Sequence, residues 1–161
     1  MAEQMKIEFI NPFLVAATSV LSAACGIQLA VNKPYVKTNY FDDDSVVINV
    51  GVTGQVNGGV LVAFKENVAC DIASKMCMMP ISNLDEISMS ALCELGNMIL
   101  GNAATVLSTK NYVVDITPPS IIQGKFHITG AFTQNICVPL TYEGDKVIEL
   151  DISLREGKGN D

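Results

Sequence analysis

Residues 84–108 read LDEISMSALCELGNMILGNAATVLS, and their periodicity decides how the rest of the chain is organised. At about 100° per residue, Met89, Leu92, Gly96, Ile99, Ala103 and Val106 recur at 3,4,3,4,3 spacing and form one apolar stripe, the face that a long helix buries. Roughly opposite lie Glu86, Ser90, Glu94, Asn97, Gly101 and Thr105, with Ala91 and Met98 on the fringe and no Lys or Arg among them. Asn and Gly are poor residues for a helix interior, each Gly costing about 1 kcal/mol relative to Ala. Something other than helix stability therefore placed Asn97, Gly96 and Gly101 there. Gly96, on the apolar side, reads as close packing on a sheet; Gly101, on the polar side, reads as a point where another molecule comes close. Glu94 and Asn97, at i and i+3, project together and can reach one target. Taken alone, the pair is also what an ordinary solvated helix face carries.

Before this helix, Asn11 is a favoured N-cap and Pro12 suits a first helical position, which predicts a helix over residues 11–25 stopped by Gly26. Segments rich in Val, Ile, Thr and Tyr follow at 27–31, 35–40, 45–52 and 59–64 and read as strands, with Asn57-Gly58 as a hairpin turn. A second helix is expected over 66–78, ended before Pro80, with Met76, Met78 and Met79 as core filler. Beyond the long helix, 112–116, 120–123, 126–129, 134–142 and 147–154 are strand-like, and the polar tail 155–161 is expected to fray.

The two series of elements resemble each other. At an ungapped offset of 86, Ala17, Val20, Leu21 and Ser22 fall on Ala103, Val106, Leu107 and Ser108. On the same offset Glu8 and Asn11 fall on Glu94 and Asn97, and prolines follow each pair, Pro34 in one case and Pro118-Pro119 in the other. The expected architecture is one α+β domain spanning 1–161, in two layers. Helices would pack on a largely antiparallel sheet built from two pseudo-repeated halves. Pro12 is expected to push Asn11 out of the helical region and leave Glu8 upstream of the helix, so that the first-half echo forms no second site.

Composition narrows the function classes. The 10 basic against 17 acidic residues give a formal charge of −7, which weighs against nucleic acid or anionic membrane as partner. An acidic surface suits a protein partner with a basic patch. The N-terminal residues lack the pattern of a signal peptide, and the apolar runs read as too short to span a bilayer. The five cysteines form no Cys-x-x-Cys pair and read as buried thiols of a reducing cytoplasm. His127 is the single histidine, which removes His-rich metal sites and most triads; it reads as a structural or surface residue.

The stretch Ser90-Ala-Leu-Cys-Glu94-Leu-Gly-Asn97-Met, with Val114-Asp-Ile-Thr-Pro118-Pro119 after it, resembles the CheC/CheX/FliY phosphatases of bacterial chemotaxis. Pro119 lies 22 positions beyond Asn97, and the Thr-Pro-Pro form is similar to the CheX branch. The resemblance implies a phosphatase acting on the aspartyl phosphate of a CheY-type response regulator. An acyl phosphate on a regulator that holds its own Mg²⁺ needs little beyond a water placed in line. An amide can place it, because it both donates and accepts hydrogen bonds and does not titrate near neutral pH. Carried over by position, Asn97 orients the water and Glu94 pairs with a basic side chain of the regulator. Ser90, Gly101 and Pro119 are supporting positions. The resemblance further implies one site per chain, no cofactor or metal bound by the chain itself, a homodimer and a cytoplasmic location. The rival reading is a module that binds a regulator or another signalling protein without hydrolysis.

Overall fold

Along the strands of this protein, apolar residues alternate between two faces, as the two-residue side-chain period of extended backbone requires. Val46, Ile48, Val50 and Val52 point into the main core together with Val60, Val62, Phe64, Val138, Leu140, Ile148, Leu150 and Ile152, while Val47, Leu61 and Ala63 point the other way into a smaller cluster. The structure, a computed structural model, describes residues 7–38, 40–128 and 135–157. Its helices are α1 (Ile7–Cys25), α2 (Glu66–Cys77) and α3 (Glu86–Thr109). Its strands are β1 (Ala30–Val31), β2 (Tyr35–Val36), β3 (Tyr40–Phe41), β4 (Ser45–Gly54), β5 (Val56–Lys65), β6 (Val114–Ile116), β7 (Ser120–Gln123), β8 (Phe126–His127), β9 (Ile136–Tyr142) and β10 (Lys146–Glu156).

The main sheet runs β9-β10-β5-β4, with β1 and β2 on the outer edge of β9, and β6 and β7 on the outer edge of β4. All its pairings are antiparallel. The helices cover one face, α1 and α2 both packing against α3. The β3–β8 ribbon covers the smaller cluster on the other face, where Phe41 stacks on Phe126 at 4.7 Å.

The expected pseudo-repeat is present, and its halves interlock. Each half runs helix, two short strands, a two-residue strand and a hairpin: α1 to β5, then α3 to β10, with α2 between them. The short strands of each half pair with the hairpin of the other, β1 and β2 on β9, β6 and β7 on β4. Equivalent strands meet each other only at β5·β10 and β3·β8, where a pseudo-two-fold axis must pass. Neither half completes a sheet alone.

Several sequence expectations need correction. α1 is helical from Ile7, and Pro12 sits inside it, buried. Tertiary contacts hold the turn ahead of Pro12: Phe9 is buried with its ring edge-on to Tyr112 at 5.1 Å, and the Tyr112 hydroxyl donates to the Glu8 carboxylate at 3.0 Å. Those contacts outweigh the hydrogen bond that a proline removes. The helix stop at Gly26 is as expected, with φ +65° there and the Ile27 amide donating back to the Leu21 carbonyl at 3.2 Å.

The β4–β5 turn is centred on Gln55, not on Asn57-Gly58. The Asn57 side chain serves that turn by accepting from the Gly54 amide at 3.1 Å. Gly58, at φ +145°, lies within β5, where a Cβ would collide with the Ser153 carbonyl of β10. Arg155 and Glu156 extend β10 opposite Asn57 and Val56 instead of fraying, while 158–161 lie outside the described residues. Met76 packs on the core, but Met78 is 91% and Met79 49% exposed, so these two are not core filler. Cys70 and Cys137 are buried, whereas Cys25, Cys77 and Cys93 are partly exposed. By length and mean hydropathy, 1.5, α1 does qualify as a membrane-crossing segment. Its apolar residues Phe9, Phe13, Ala16, Ala17, Val20 and Leu21 are buried within the fold as those of a core helix are.

Candidate functional site

α3 begins with a reciprocal cap that the sequence reading passed over. The Asp85 side chain accepts from the Ser88 amide at 2.9 Å, and the Ser88 hydroxyl accepts from the Asp85 amide at 2.6 Å. The two hydrogen bonds satisfy backbone donors that the first turn leaves without helical partners. The buried face, Ser88, Leu92, Leu95, Gly96, Ile99, Leu100, Ala103 and Leu107, is centred on the expected stripe but is wider, with Met89 and Val106 only half-buried.

The opposite face matches the expected one residue by residue: Glu86, Ser90, Glu94, Asn97 and Thr105 are exposed, and Gly101 is half-buried. Among the described residues, no side-chain hydrogen bond or ion pair engages Ser90, Glu94 or Asn97. Together with Glu86, Ile87 and Cys93, these three residues line a shallow depression along the helix. A carboxylate and an amide, side by side on a rigid backbone and without internal partners, are both open to a ligand group.

Beneath Asn97 the helix comes down on the sheet. A Cβ on Gly96 would lie 2.7 Å from Ile48 Cγ2 and 3.5 Å from Pro119 Cβ, so the missing side chain is what lets α3 approach β4. Pro119 thus sits on the underside of α3, not on the exposed face with Glu94 and Asn97. It is placed there by the link between β6 and β7, two strands on one edge of β4. In that link the Thr117 hydroxyl accepts from the Gly51 amide at 2.8 Å, and the Thr117 amide donates to the Gly51 carbonyl at 2.9 Å. Pro119 lies beneath the turn that carries Asn97. Gly96→Val should destabilise the fold by about 2 kcal/mol, because neither buried Ile48 nor Pro119 has room to yield; urea unfolding followed by circular dichroism measures this.

The first-half echo also lies on a helix. Glu8 and Asn11 occupy α1 at i and i+3, which overturns the expectation that Pro12 takes Asn11 out of the helix. What separates the two pairs is the state of the acid. Glu8 is half-buried and bonded to Tyr112, whereas Glu94 is exposed with its carboxylate uncommitted.

Away from α3, one group of side chains among the described residues is close enough to share a cation. Cys137, Glu149 and Asp151 hold their ligand atoms within 4.8 Å of one another on the sheet face that carries the β3–β8 ribbon. Lys37 already supplies positive charge there, with its Nζ 2.6 Å from Glu149 Oε2. Burial pushes the Cys137 thiol up to about 12, so it stays neutral. His127 is exposed and stacks on Tyr40 at 4.8 Å.

Comparison with known proteins bears on the α3 face. The family model described as "Chemotaxis phosphatase CheX" matches residues 46–141. A curated relative, the CheY-P phosphatase CheX of Thermotoga maritima, is 27% identical over 154 residues, covering 95% of this chain and 99% of its own. Among solved structures, a CheC-like superfamily protein from a Shewanella species superposes with a TM-score of 0.83 at 29% identity, covering 94% of this chain and 99% of its own. The CheX–CheY–BeF₃–Mg²⁺ complex from Borrelia burgdorferi matches with a TM-score of 0.80 at 32% identity, over 94% of this chain and all of that one.

Proposed function

This chain belongs to the CheX family of chemotaxis phosphatases, and on that premise we propose that it hydrolyses the aspartyl phosphate of a CheY-type response regulator, with Glu94 docking the regulator and Asn97 orienting the attacking water. The observation that carries this reading is the exposed Glu94–Asn97 pair, which has no internal partner and is held on a capped helix pressed onto the sheet through Gly96. The Thermotoga relative is named as a CheY-P phosphatase, and the Borrelia relative was crystallised with CheY, BeF₃ and Mg²⁺. By analogy the metal belongs to the regulator's acidic pocket, and this chain supplies only an acid and an amide.

In the proposed complex, Asn97 enters the regulator's phosphorylation pocket. Its carbonyl accepts a hydrogen bond from a water and its amide group donates towards the phosphoryl oxygens, so that water, phosphorus and leaving carboxylate lie in line. Glu94, one turn away, pairs with a basic side chain of the regulator. This fixes the pose and draws that cation off the phosphate. We assign one such site per chain, because the Glu8 carboxylate is already bonded to Tyr112. A homodimer follows from the same family reading, and sedimentation velocity tests it.

The decisive experiment is release of inorganic phosphate from a phosphorylated CheY-type regulator with Mg²⁺ present. A rate no faster than the regulator's own hydrolysis overturns the phosphatase reading, and tight binding without turnover replaces it with that of a binding module. Glu94→Gln should raise KM about tenfold and leave kcat within about threefold, since the lost ion pair acts in docking more than in water placement. Its effect should shrink at high salt, where the wild-type ion pair is itself screened.

A further inference from the structure

Gly101 stands one turn beyond Asn97 on the exposed side of α3, and the fold gives no reason for it. Among the described residues, a Cβ built there meets nothing within 4 Å, whereas one on Gly96 would strike Ile48 at 2.7 Å. Nor is its backbone in a conformation that favours glycine: it lies inside an unbroken helix and is not among the positive-φ residues. A mid-helix glycine that packs against nothing lowers stability, and alanine at that site should be better for the chain in isolation. The side-chain hydrogen bond it receives, the Thr105 hydroxyl donating to the Gly101 carbonyl at 3.1 Å, is to the backbone and would survive any side chain.

Glu94, Asn97 and Gly101, at i, i+3 and i+7, follow one line down the helix, and no Lys or Arg occurs between Glu86 and Thr109. We propose that Gly101 is the point of closest approach for the docked response regulator, whose surface beside the phosphorylation pocket packs directly on the bare helix backbone there. This rests on the assignment of Glu94 and Asn97 to regulator binding. Asn is a short side chain, and to reach an aspartyl phosphate sunk in a pocket the helix carrying it must come close to the pocket rim. A side chain one turn away, on the same line, would hold the two surfaces apart. Gly101 is then a positioning residue: it touches no reacting atom and sets how deeply Asn97 enters. The continuity of the line with Glu94 and Asn97 commits the occupant to the regulator, and a face that carries Glu86 and Glu94 with no Lys or Arg disfavours a second copy of this acidic chain.

The test separates fold from docking by using two variants that the fold should accept. Gly101→Ala should raise Tm by about 2–4 °C, and Gly101→Leu should melt no lower than wild type. Binding is measured to the CheY-type regulator of the same organism, activated with beryllofluoride and Mg²⁺, and phosphate release is measured separately. The expected result is a graded loss, a few-fold weaker for Ala and at least tenfold weaker for Leu, with kcat for Leu falling as well because Asn97 is held short. Binding by the Leu variant within twofold of wild type overturns the proposal and leaves the phosphatase reading intact. A Leu variant that melts well below wild type overturns it too, because the glycine then serves the fold. A wild-type protein that neither binds the regulator nor speeds its dephosphorylation removes the underlying assignment, and this proposal with it.

Discussion

Asn97→Ala is expected to slow phosphate release at saturating regulator by about two to three orders of magnitude while changing the dissociation constant less than about threefold. The size is that of losing one preorganised hydrogen-bonding group aimed at the reacting centre. The split follows from where the group acts. Asn97 is exposed and without an internal partner in the free protein, so truncating it neither opens a cavity nor strands a buried polar atom. In the proposed reaction the amide's contacts with water and phosphoryl group would matter most as the water closes on phosphorus, so their loss should appear in kcat. Asn97→Asp is the sharper companion. It keeps the size but replaces the donating amide with a charge that the phosphoryl oxygens repel, and it should be at least as slow as the Ala variant. Single-turnover release and isothermal titration with the beryllofluoride form give the two quantities independently. A fall in affinity equal to the fall in rate would reassign Asn97 to docking.

The shared face of the proposed site could be read from the sequence because it depends on one helix and on local spacing. Any helix through residues 86–109 places Glu94 and Asn97 on one face, and the absence of Lys and Arg marks that face as open to a basic partner. Gly96 and Gly101 were separable for the same reason, one on the apolar side and one on the polar side. The structure then showed Ile48 beneath the first and open space around the second. Pro119 was legible as part of a motif but not as to its place, since its position under α3 depends on two strands sharing one edge of β4.

Misreadings arose where a local signal met a distant contact. Asn11-Pro12 carries a helix-start signature, yet Phe9 and Glu8 are held in helix by Tyr112, about a hundred residues away. Asn57-Gly58 carries a hairpin signature, yet its glycine is required by the Ser153 carbonyl of a strand from the other half. The interlocking of the halves has no local signal at all. An 86-residue offset reveals that two units exist, but not that each lends its short strands to the other's hairpin. The cluster of Lys37, Cys137, Glu149 and Asp151 was equally hidden, because its members come from separate parts of the chain and meet only across β9 and β10.

That cluster carries the second large effect, on stability. Asp151 pairs with Cys137 on β9 and with Leu61 on β5; it is 0% exposed, and among the described residues no donor meets its carboxylate oxygens in good hydrogen-bond geometry, although the Cys137 thiol and the Asn135 side chain lie near enough to help hold it down. Burial pushes its carboxyl up to about 6 from an ordinary 3.8, with Lys37 pulling the other way and Glu149 adding to the rise. A raised folded-state value means that the native state favours the protonated acid. Well below pH 4 the group is protonated in both states and carries no ionisation penalty, only the pH-independent cost of burying a neutral carboxyl. Between about pH 4 and 6 the unfolded chain ionises first, so native stability falls as pH rises; above pH 6 the full penalty, about 3 kcal/mol, stays in place. Asp151→Asn removes the ionisation while keeping the shape, and its own amide must still be buried. It should therefore be about equal to wild type at pH 4 and more stable by about 2 kcal/mol at pH 8, with the difference opening between those values. Urea unfolding across that range reads it directly. A variant less stable than wild type at pH 8 would mean that the charged carboxylate is held by a net favourable interaction, with Lys37 the first candidate. Asp151 lies on the sheet face opposite α3, so phosphate release per folded molecule should not change. That separates this residue, whose expected effect is on folding, from Glu94 and Asn97, to which the proposed reaction is assigned.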